Sequence, residues 1–416
     1  MELRPGVREK IKRLMDKGVD LPNPFTLDIG DEVDADRISG KGVRIYPGCR
    51  IYGATTVISS GAALGREGPV TVEDCQIGPG AELRGGYFTK SVFLEKSSMG
   101  LGAQVREACI LEEEAGGAHC VGLKQTILFP FVTLGSLINF CDCLMAGGTS
   151  RKNHSEVGSS YIHFNFTPDG DKSTASLIGD VPRGVMLNQA PIFLGGQGGM
   201  VGPLRMGFGN VVSAGSILRR DFTGSGQLLY GKSHHETIAD FVPGGYPRLP
   251  RVVGNNILFM ASLAALEQWY IHVRQPFFRL QELGELVYRG ALEKIAMARA
   301  ERFSRLEAMA ARLPVTDGGT QAAAAFESAR REVREKVRDL RTLMTDEGAL
   351  KAGVEERDRF LGGLEKQRAK GAGYIEVIQG LPADVSQAGT RWLDLVIDGL
   401  KQRSEALLPS LEMFKA

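Results

Sequence analysis

The residues best suited to chemistry lie in one stretch of the sequence, between positions 139 and 172. His154 and His163 carry imidazoles, which titrate near neutral pH, so either could take the proton that an amine loses when it attacks a carbonyl group. Lys172 could neutralise a phosphate group on a ligand. His163 lies two residues before Asn165, so both side chains share one face if this segment is a strand. The stretch therefore has the residues for proton transfer beside a phosphorylated ligand.

A glycine-rich run, FLGGQGGMVGP, covers residues 193–203. Its glycines could let the backbone approach a ligand or a neighbouring subunit, or they could only relieve crowding at turns. Both interpretations stay open for Gly195, Gly196, Gly198, Gly199 and Gly202. A nucleotide loop of the pyrophosphorylase type needs a following helix to meet the phosphate, and here the surrounding pattern continues without one. Pyrophosphorylase activity is therefore not expected.

Aliphatic residues recur at every sixth position on both sides of this stretch. The two clearest runs are Ile45, Ile51 and Val57, and Met206, Val212 and Leu218. A period of six suits neither a helix nor an ordinary strand. Short strands joined by tight turns satisfy it, because successive coils then pair as parallel strands with the aliphatic residues stacked inside. The repeat predicts a β-solenoid, a parallel β-helix built from hexapeptide repeats.

The stretch from Leu134 to Asp221 resembles a known family. Its hexads are similar to those of the left-handed β-helix of hexapeptide-repeat acyltransferases. Its motifs resemble the acetyltransferase domain of the bifunctional glucosamine-1-phosphate acetyltransferase and N-acetylglucosamine-1-phosphate uridyltransferase. They occur in the family's order: NF at 139–140, TSRKNH ending at His154, SEVG at 155–158, HFNFTPDGDK at 163–172 and LIGD at 177–180. The resemblance implies that the β-helix is left-handed.

The resemblance also implies roles for individual residues. His154 corresponds to the general base that deprotonates the attacking amine, and His163 is a second candidate. The acceptor would be lined by Asn139, Asn165, Asp169 and Lys172. The glycines of residues 195–202 would lie nearer an acetyl-CoA or other acyl-CoA donor, bound between the subunits of a homotrimer. The implied reaction is acyl transfer from acyl-CoA to an amino or hydroxyl group of a phosphorylated or nucleotide-linked sugar.

Three features of that family are absent from this sequence. The family has a substrate-contacting tyrosine between its histidine and the motif that SEVG resembles, whereas here His154 directly precedes Ser155. A lysine is missing from residues 141–148, and an arginine is missing from residues 128–135. Glucosamine 1-phosphate is therefore disfavoured as the acceptor. The alternative is a non-catalytic β-helix scaffold or sugar-nucleotide-binding protein that has lost the transferase chemistry.

The composition changes where the hexads end, from glycine-rich to rich in Ala, Leu, Glu, Arg and Lys. We predict four segments: an N-terminal helical or irregular segment at 1–30, the β-helix at 31–232, a connection containing a helix at 233–277, and an all-α C-terminal domain at 278–416. The C-terminal helices would brace a trimer or dock a protein partner.

Local signals place the individual helices. Asn255 or Asn256 is the expected N-cap of a helix that reaches Trp269, and Pro276 is expected to end or kink whatever passes through it. A long helix should follow and stop before Pro314. The last three helices are expected at 320–344, at roughly 350–370 and at roughly 384–408.

Charge and cysteine content exclude several classes of protein. The chain has 50 basic and 49 acidic residues, for a net charge of +1, so neither nucleic acid nor an anionic membrane is an expected partner. The sequence shows neither a signal peptide nor an apolar run of membrane-spanning length, which predicts a cytoplasmic protein. The six cysteines lack zinc-site spacing, so we expect reduced, inward-facing thiols and no metal.

Overall fold

Short parallel strands wind the N-terminal half into a left-handed β-helix with a triangular cross-section. The computed structural model describes residues 5–165, 172–231, 238, 246, 248–315, 321–371 and 373–414. Each turn contributes strands to three faces, and each strand pairs in parallel with the equivalent strand of the next turn. The predicted fold class, a β-helix followed by helices, is confirmed.

The strands divide among the three faces as follows. Face one is a ten-stranded sheet of Arg44–Ile45, Ala63–Leu64, Glu82–Leu83, Ser98–Met99, Gly116–Gly117, Thr133–Leu134, Glu156–Val157, Phe193–Leu194, Val211–Val212 and Leu228–Leu229. Face two contains Asp28–Ile29, Arg50–Tyr52, Val70–Glu73, Gly86–Thr89, Ala103–Val105, Ile162–Phe164, Gly199–Val201 and Ile217–Leu218. Face three contains Val57–Ile58, Gln76–Ile77, Ser91–Phe93, Cys109–Leu111, Ser176–Ile178 and Arg205–Met206. The strands Gly122–Leu128 and Asn139–Met145 continue from face two round the corner to face three.

Six residues correspond to one side of the triangle, which explains the sequence repeat. Ile45, Ile51 and Val57 lie on faces one, two and three in turn, and all three are buried in the interior. Met206, Val212 and Leu218 follow the same rule: they lie on faces three, one and two in turn, and all three are buried. The aliphatic residue of each hexad thus stacks on its counterpart in the next turn.

The three corners of the triangle require left-handed backbone conformations. At the corner between faces two and three, Asp74, Lys90, Ala108, Gln125 and Asp142 have φ values of 51°, 46°, 60°, 53° and 57°. A non-glycine residue is strained in this region, so neighbouring turns must stabilise it. Ala108 N–H, for example, donates to the Lys90 carbonyl at 3.0 Å.

Helices lie at the start of the chain, within the β-helix and after it. In chain order they are α1 (Pro5–Asp16), α2 (Val181–Gly184), α3 (Leu249–Trp269), α4 (Gln275–Phe278), α5 (Gly284–Ala310), α6 (Gln321–Met344), α7 (Glu347–Leu350), α8 (Val354–Arg368), α9 (Tyr374–Gln379) and α10 (Ala383–Leu407). Single 3-10 turns occur at Pro24–Thr26, Ala35–Arg37 and Pro409–Leu411. We call α3 to α10 the helical part.

The helical part packs on face three of its own β-helix. Helix α5 lies against the strands Gln76–Ile77, Ser91–Phe93 and Cys109–Leu111, and α3 lies against Ser176–Ile178. The Gln76 side chain occupies the space that a Cβ on Gly290 of α5 would take, so the helix and this side chain are in close contact. Face three is therefore covered, and faces one and two remain as the outer surfaces of the prism.

The predicted helix starts and stops are correct in part. The proposal that Asn255 or Asn256 caps a helix is wrong, because α3 begins at Leu249 and both asparagines are buried within it. The break at Pro276 is confirmed: Tyr270–Arg274 form a π-helical turn just before it, and α4 ends at Phe278. Helix α5 ends at Ala310, before Pro314, as expected.

One helical stretch is long and apolar. By length and composition, Leu249–Phe278 could cross a membrane, but 78% of its most apolar window is buried in the structure. Core helices of soluble proteins pass the same test, so this is weak evidence for a membrane span.

The cysteine prediction is nearly correct. Cys49, Cys75, Cys109, Cys141 and Cys143 are buried free thiols, whereas Cys120 is exposed at a corner of the β-helix, contrary to the expectation of inward-facing thiols. Within the described residues, no group of three or more His, Cys, Asp and Glu side chains could hold a metal ion.

Candidate active site

His154 lies at the end of a short antiparallel hairpin, Gly148–Ser150 with Asn153–His154, at the edge of face one. Its Nδ1 is 2.9 Å from the Arg151 carbonyl oxygen. A carbonyl only accepts, so Nδ1 carries a proton, and in the neutral imidazole the lone pair is therefore on Nε2. Nε2 lies 3.8 Å from Glu156 Oε2, and 21% of the side chain is exposed. His154 thus has the tautomer, carboxylate neighbour and access of a general base.

Contacts from two directions hold this hairpin in place. Arg151 donates from Nη1 to the Glu114 carbonyl at 2.9 Å and to Thr133 Oγ1 at 2.8 Å. Gln379 of α9 donates to the Thr149 carbonyl at 2.7 Å. Because both the β-helix and the helical part bind the hairpin, the Arg151 carbonyl has a defined position from which to orient His154.

His163 occupies a different environment, inside the prism. It is 1% exposed, its Nε2 lies 2.7 Å from Ser176 Oγ, and its ring meets the edge of Phe140. Burial lowers the pKa of His163 to about 4. The imidazole is therefore neutral at physiological pH and is shielded from any ligand on the outer faces.

Asn165 and Lys172 meet at the corner between faces two and three, around two residues that the motifs did not single out. Asn165 Nδ2 donates to Asp142 Oδ2 at 3.2 Å, and Arg302 of α5 donates from Nη1 to the Lys172 carbonyl at 3.2 Å. Arg302 Nη2 and Asp142 Oδ1 form a buried ion pair at 2.5 Å. Burial raises the pKa of the Asp142 carboxyl, against the opposing effects of Arg302 and Asn165.

Of the other two residues predicted to line the acceptor, the structure describes Asn139 but not Asp169. Asn139 is exposed at the start of its strand on face two, where its Oδ1 accepts a hydrogen bond from Cys141 Sγ at 3.1 Å. Its register partner on the next turn is Ile162. Asp169 lies outside the described residues.

The glycines of residues 195–202 are closely packed against neighbouring turns. A Cβ on Gly195 would lie 2.6 Å from the Val212 carbonyl oxygen, and one on Gly199 would lie 2.8 Å from that of Ile162. Gly196 and Gly198 meet the carbonyl oxygens of Ser159 and Ser216 in the same way, and Gly202 meets that of Thr174. Coil stacking therefore requires these glycines. Their role toward coenzyme A stays a prediction.

Within one chain the structure does not bring all the predicted residues together. Asn165 and Lys172 converge on the corner between faces two and three, close in sequence to the strand that contains His163. His154 lies at another corner, between faces three and one. The sequence analysis did not single out Arg151 and Glu156, which flank His154, although both lie in the quoted motifs, TSRKNH and SEVG. Asp142 and Arg302 gave no signal, because one lies in an apolar strand and the other in a helix without a motif.

The repeat, the three faces and the interior stacking define a hexapeptide-repeat protein with a left-handed parallel β-helix. The chain is homologous to proteins called bifunctional protein GlmU. It is 26% identical over 213 residues to the protein from Thermotoga maritima and 27% identical over 217 residues to that from Trichlorobacter lovleyi. The matches cover 51% and 52% of this chain but only 42% of each relative.

Two further comparisons add little. No family model matches the chain. The structure of LpxA from Acinetobacter baumannii aligns with 52% of this chain and 70% of its own, at 9% identity and a TM-score of 0.15. The fold assignment follows from the strand pairing described above.

Proposed function

We propose that the protein transfers an acyl group from an acyl-CoA donor to an amino or hydroxyl group of a phosphorylated or nucleotide-linked sugar, with His154 as general base. The observation that carries the proposal is the fixed tautomer of His154, whose Nε2 is free to accept a proton beside Glu156. The similarity to GlmU and the sequence motifs around His154 support the same reaction class.

The mechanism needs one proton acceptor and one neighbouring negative charge. As the acceptor's amine or hydroxyl attacks the thioester carbonyl, Nε2 of His154 takes its proton. The Glu156 carboxylate stabilises the imidazolium that forms. The tetrahedral intermediate then collapses: the carbon–sulfur bond breaks, the coenzyme A thiolate leaves, and the imidazolium returns the proton to it.

A homotrimer would complete the site. The helical part covers face three, and the exposed large apolar side chains of the β-helix strands lie on faces one and two: Ile162, Phe164, Phe193, Val211, Ile217 and Leu228. Leu137 is exposed at the corner that these faces share. With that corner near a three-fold axis, face one of each chain would meet face two of the next. The groove between them would have His154 on one side and the neighbouring chain's Asn165 on the other.

The test is product formation by the purified protein. Acetyl-CoA is supplied with a panel of phosphorylated and nucleotide-linked amino sugars, and acylated product is measured by mass spectrometry. We expect His154→Gln to lower kcat about 10²- to 10⁴-fold, as loss of a general base does. His163→Gln, a matched histidine variant inside the prism, should retain turnover. The proposal is wrong if acetyl-CoA shows no binding by calorimetry at millimolar concentration and no acceptor is acylated.

A specific observation also favours the second candidate, a non-catalytic scaffold or sugar-nucleotide-binding protein. The Asn165 side chain already donates to Asp142 of its own chain, so one of the residues expected to line the acceptor is engaged internally. A partner recovered at stoichiometric yield with the helical part, together with no turnover, would support this function. Turnover that depends on His154 would exclude it.

A further inference from the structure

Two separate helices hold the backbone at residues 172 and 173. Arg302 of α5 donates from Nη1 to the Lys172 carbonyl at 3.2 Å, and Asn256 of α3 donates from Nδ2 to the Ser173 carbonyl at 3.1 Å. Ser173 and Asn256 are buried, and Lys172 is half-buried with a φ of 55°. The contacts lie at successive carbonyls, so the backbone is fixed just before the strand Ser176–Ile178.

Arg302 also connects this point to Asn165, on the other side of residues 166–171. Its second terminal nitrogen, Nη2, pairs with Asp142 Oδ1 at 2.5 Å, and Asp142 Oδ2 accepts from Asn165 Nδ2 at 3.2 Å. One guanidinium therefore links, through Asp142, two of the residues that the resemblance assigns to the acceptor, Asn165 and Lys172.

A packing role alone does not account for an arginine at this position. The Arg302 side chain is 2% exposed and that of Asp142 is 5% exposed, and burying such a pair costs free energy that an apolar pair avoids. The planar fork of arginine can reach a carboxylate and a carbonyl together, which the single ammonium of lysine does less well. The position thus uses the geometry of the guanidinium as well as its charge.

We infer that Arg302 is a positioning residue of the acceptor site, through which the helical part sets the spacing between Asn165 and Lys172. This inference rests on the proposed acyl transfer. It assigns the helical part a role in acceptor binding that is separate from bracing an oligomer. Within its own chain Arg302 does not contact His154, which lies at another corner of the prism.

We call the hydrogen bonds of Arg302 and Asn256 to the Lys172 and Ser173 carbonyls the clamp. Limited proteolysis tests the clamp without requiring that the protein be active. Trypsin cleaves after Lys172 only when that backbone can leave its hydrogen bonds. We expect Arg302→Lys and Asn256→Ala each to accelerate this cleavage about tenfold, which corresponds to roughly 1.4 kcal/mol of local opening. Arg299→Lys is the matched control, because Arg299 lies on the same helix and pairs with Glu267 within the helical part. Cleavage after the buried Lys294, measured in the same digest, reports global unfolding.

Steady-state kinetics tests the role toward the acceptor. Arg302→Lys should raise KM for the acceptor about tenfold while leaving KM for acetyl-CoA unchanged, and Arg299→Lys should alter neither. Wild-type cleavage at Lys172 in both clamp variants overturns the inference, as does an unchanged acceptor KM. If the wild-type protein transfers no acyl group, the proposed function fails and so does the role toward the acceptor. The digest then shows whether the clamp exists as a structural contact alone.

Discussion

Arg274, in the π-helical turn, and Glu113, in the β-helix, form a buried two-point ion pair. Nη2 lies 2.5 Å from Oε1, and Nη1 lies 3.0 Å from Oε2. The Arg274 guanidinium also stacks 3.8 Å from the ring centre of Tyr374. This buried arrangement joins the helical part to the β-helix at the corner between faces three and one.

Removing one partner of this pair should be strongly destabilising. Arg274→Met leaves the Glu113 charge buried without its partner, so we expect the free energy of unfolding to fall by about 3–5 kcal/mol. Urea denaturation followed by circular dichroism measures it. Arg289→Met is the matched control, since Arg289 pairs with Glu285 at the surface and should lose less than about 1 kcal/mol. Equal losses in the two variants would contradict the prediction.

Glu112, the neighbour of Glu113, should make stability fall as pH rises. It accepts a hydrogen bond from Tyr270 at 2.5 Å, and burial raises its pKa to about 7 from an ordinary 4.5. Between these values the folded protein keeps a proton that the unfolded chain has lost, so its contribution to stability declines by up to about 1.4 kcal/mol per pH unit. Glu112→Gln should remove this decline. The prediction is contradicted if the free energies of unfolding of the wild-type and Glu112→Gln proteins change in parallel between pH 4.5 and 7.

His163, in contrast to Glu112, should make stability rise as the pH rises. Burial lowers its pKa to about 4, below the ordinary 6.5, so the unfolded chain binds a proton that the folded protein excludes in this range. Its contribution is complete above pH 6.5 and is lost as the pH falls toward 4. In His163→Gln, whose amide can still bond Ser176, thermal unfolding should depend less on pH across this window. An unchanged pH dependence would show that His163 is accessible to protons in the folded state.

These buried groups show where the sequence is informative and where it is not. The hexad period specifies the prism, because each aliphatic residue such as Ile51 must point inward for the coils to stack. Arg274 and Arg302 lie in helices whose residues show only ordinary helix-forming composition. Their partners Glu113 and Asp142 come from turns more than a hundred residues earlier. No local pattern records such a pairing, so the docking of the helical part could not be predicted.

The candidate site illustrates the same limit. The motif order identified His154, but the role of its tautomer depends on the Arg151 carbonyl, which only a hairpin brings to Nδ1. The i, i+2 spacing placed His163 and Asn165 on one face. In the structure His163 points into the prism, whereas Asn165 lies beyond the strand end and reaches Asp142 at the corner. Strand alternation stops applying where a coil turns, and the sequence does not mark that point.

The tight packing of Gly195 gives a test of its structural role. Gly195→Ala places a methyl group against the Val212 carbonyl, so we expect a loss of about 1–3 kcal/mol in the free energy of unfolding. Gly362→Ala is the control: that glycine is exposed on α8 with open space around its Cβ position, and alanine should stabilise the helix by about 0.5–1 kcal/mol. A Gly195→Ala protein of wild-type stability that no longer binds acetyl-CoA would instead favour a role at the coenzyme.

A row of exposed apolar residues on face one allows a test of the proposed groove between subunits. Phe193, Val211 and Leu228 are direct register partners on three successive strands, so their side chains form one continuous apolar strip. A carboxylate in the middle of a buried strip would be desolvated without a partner, and Val211→Asp should therefore convert the proposed trimer to monomer at micromolar concentration in light scattering. Ser98→Asp places the same charge on the same face among more polar neighbours and should leave assembly intact. If Val211→Asp stays trimeric, face one is not the contact, and His154 would need its acceptor from within its own chain. If the wild-type protein is itself monomeric, the groove does not form. The proposed reaction then lacks the neighbouring chain's Asn165, which would line the acceptor.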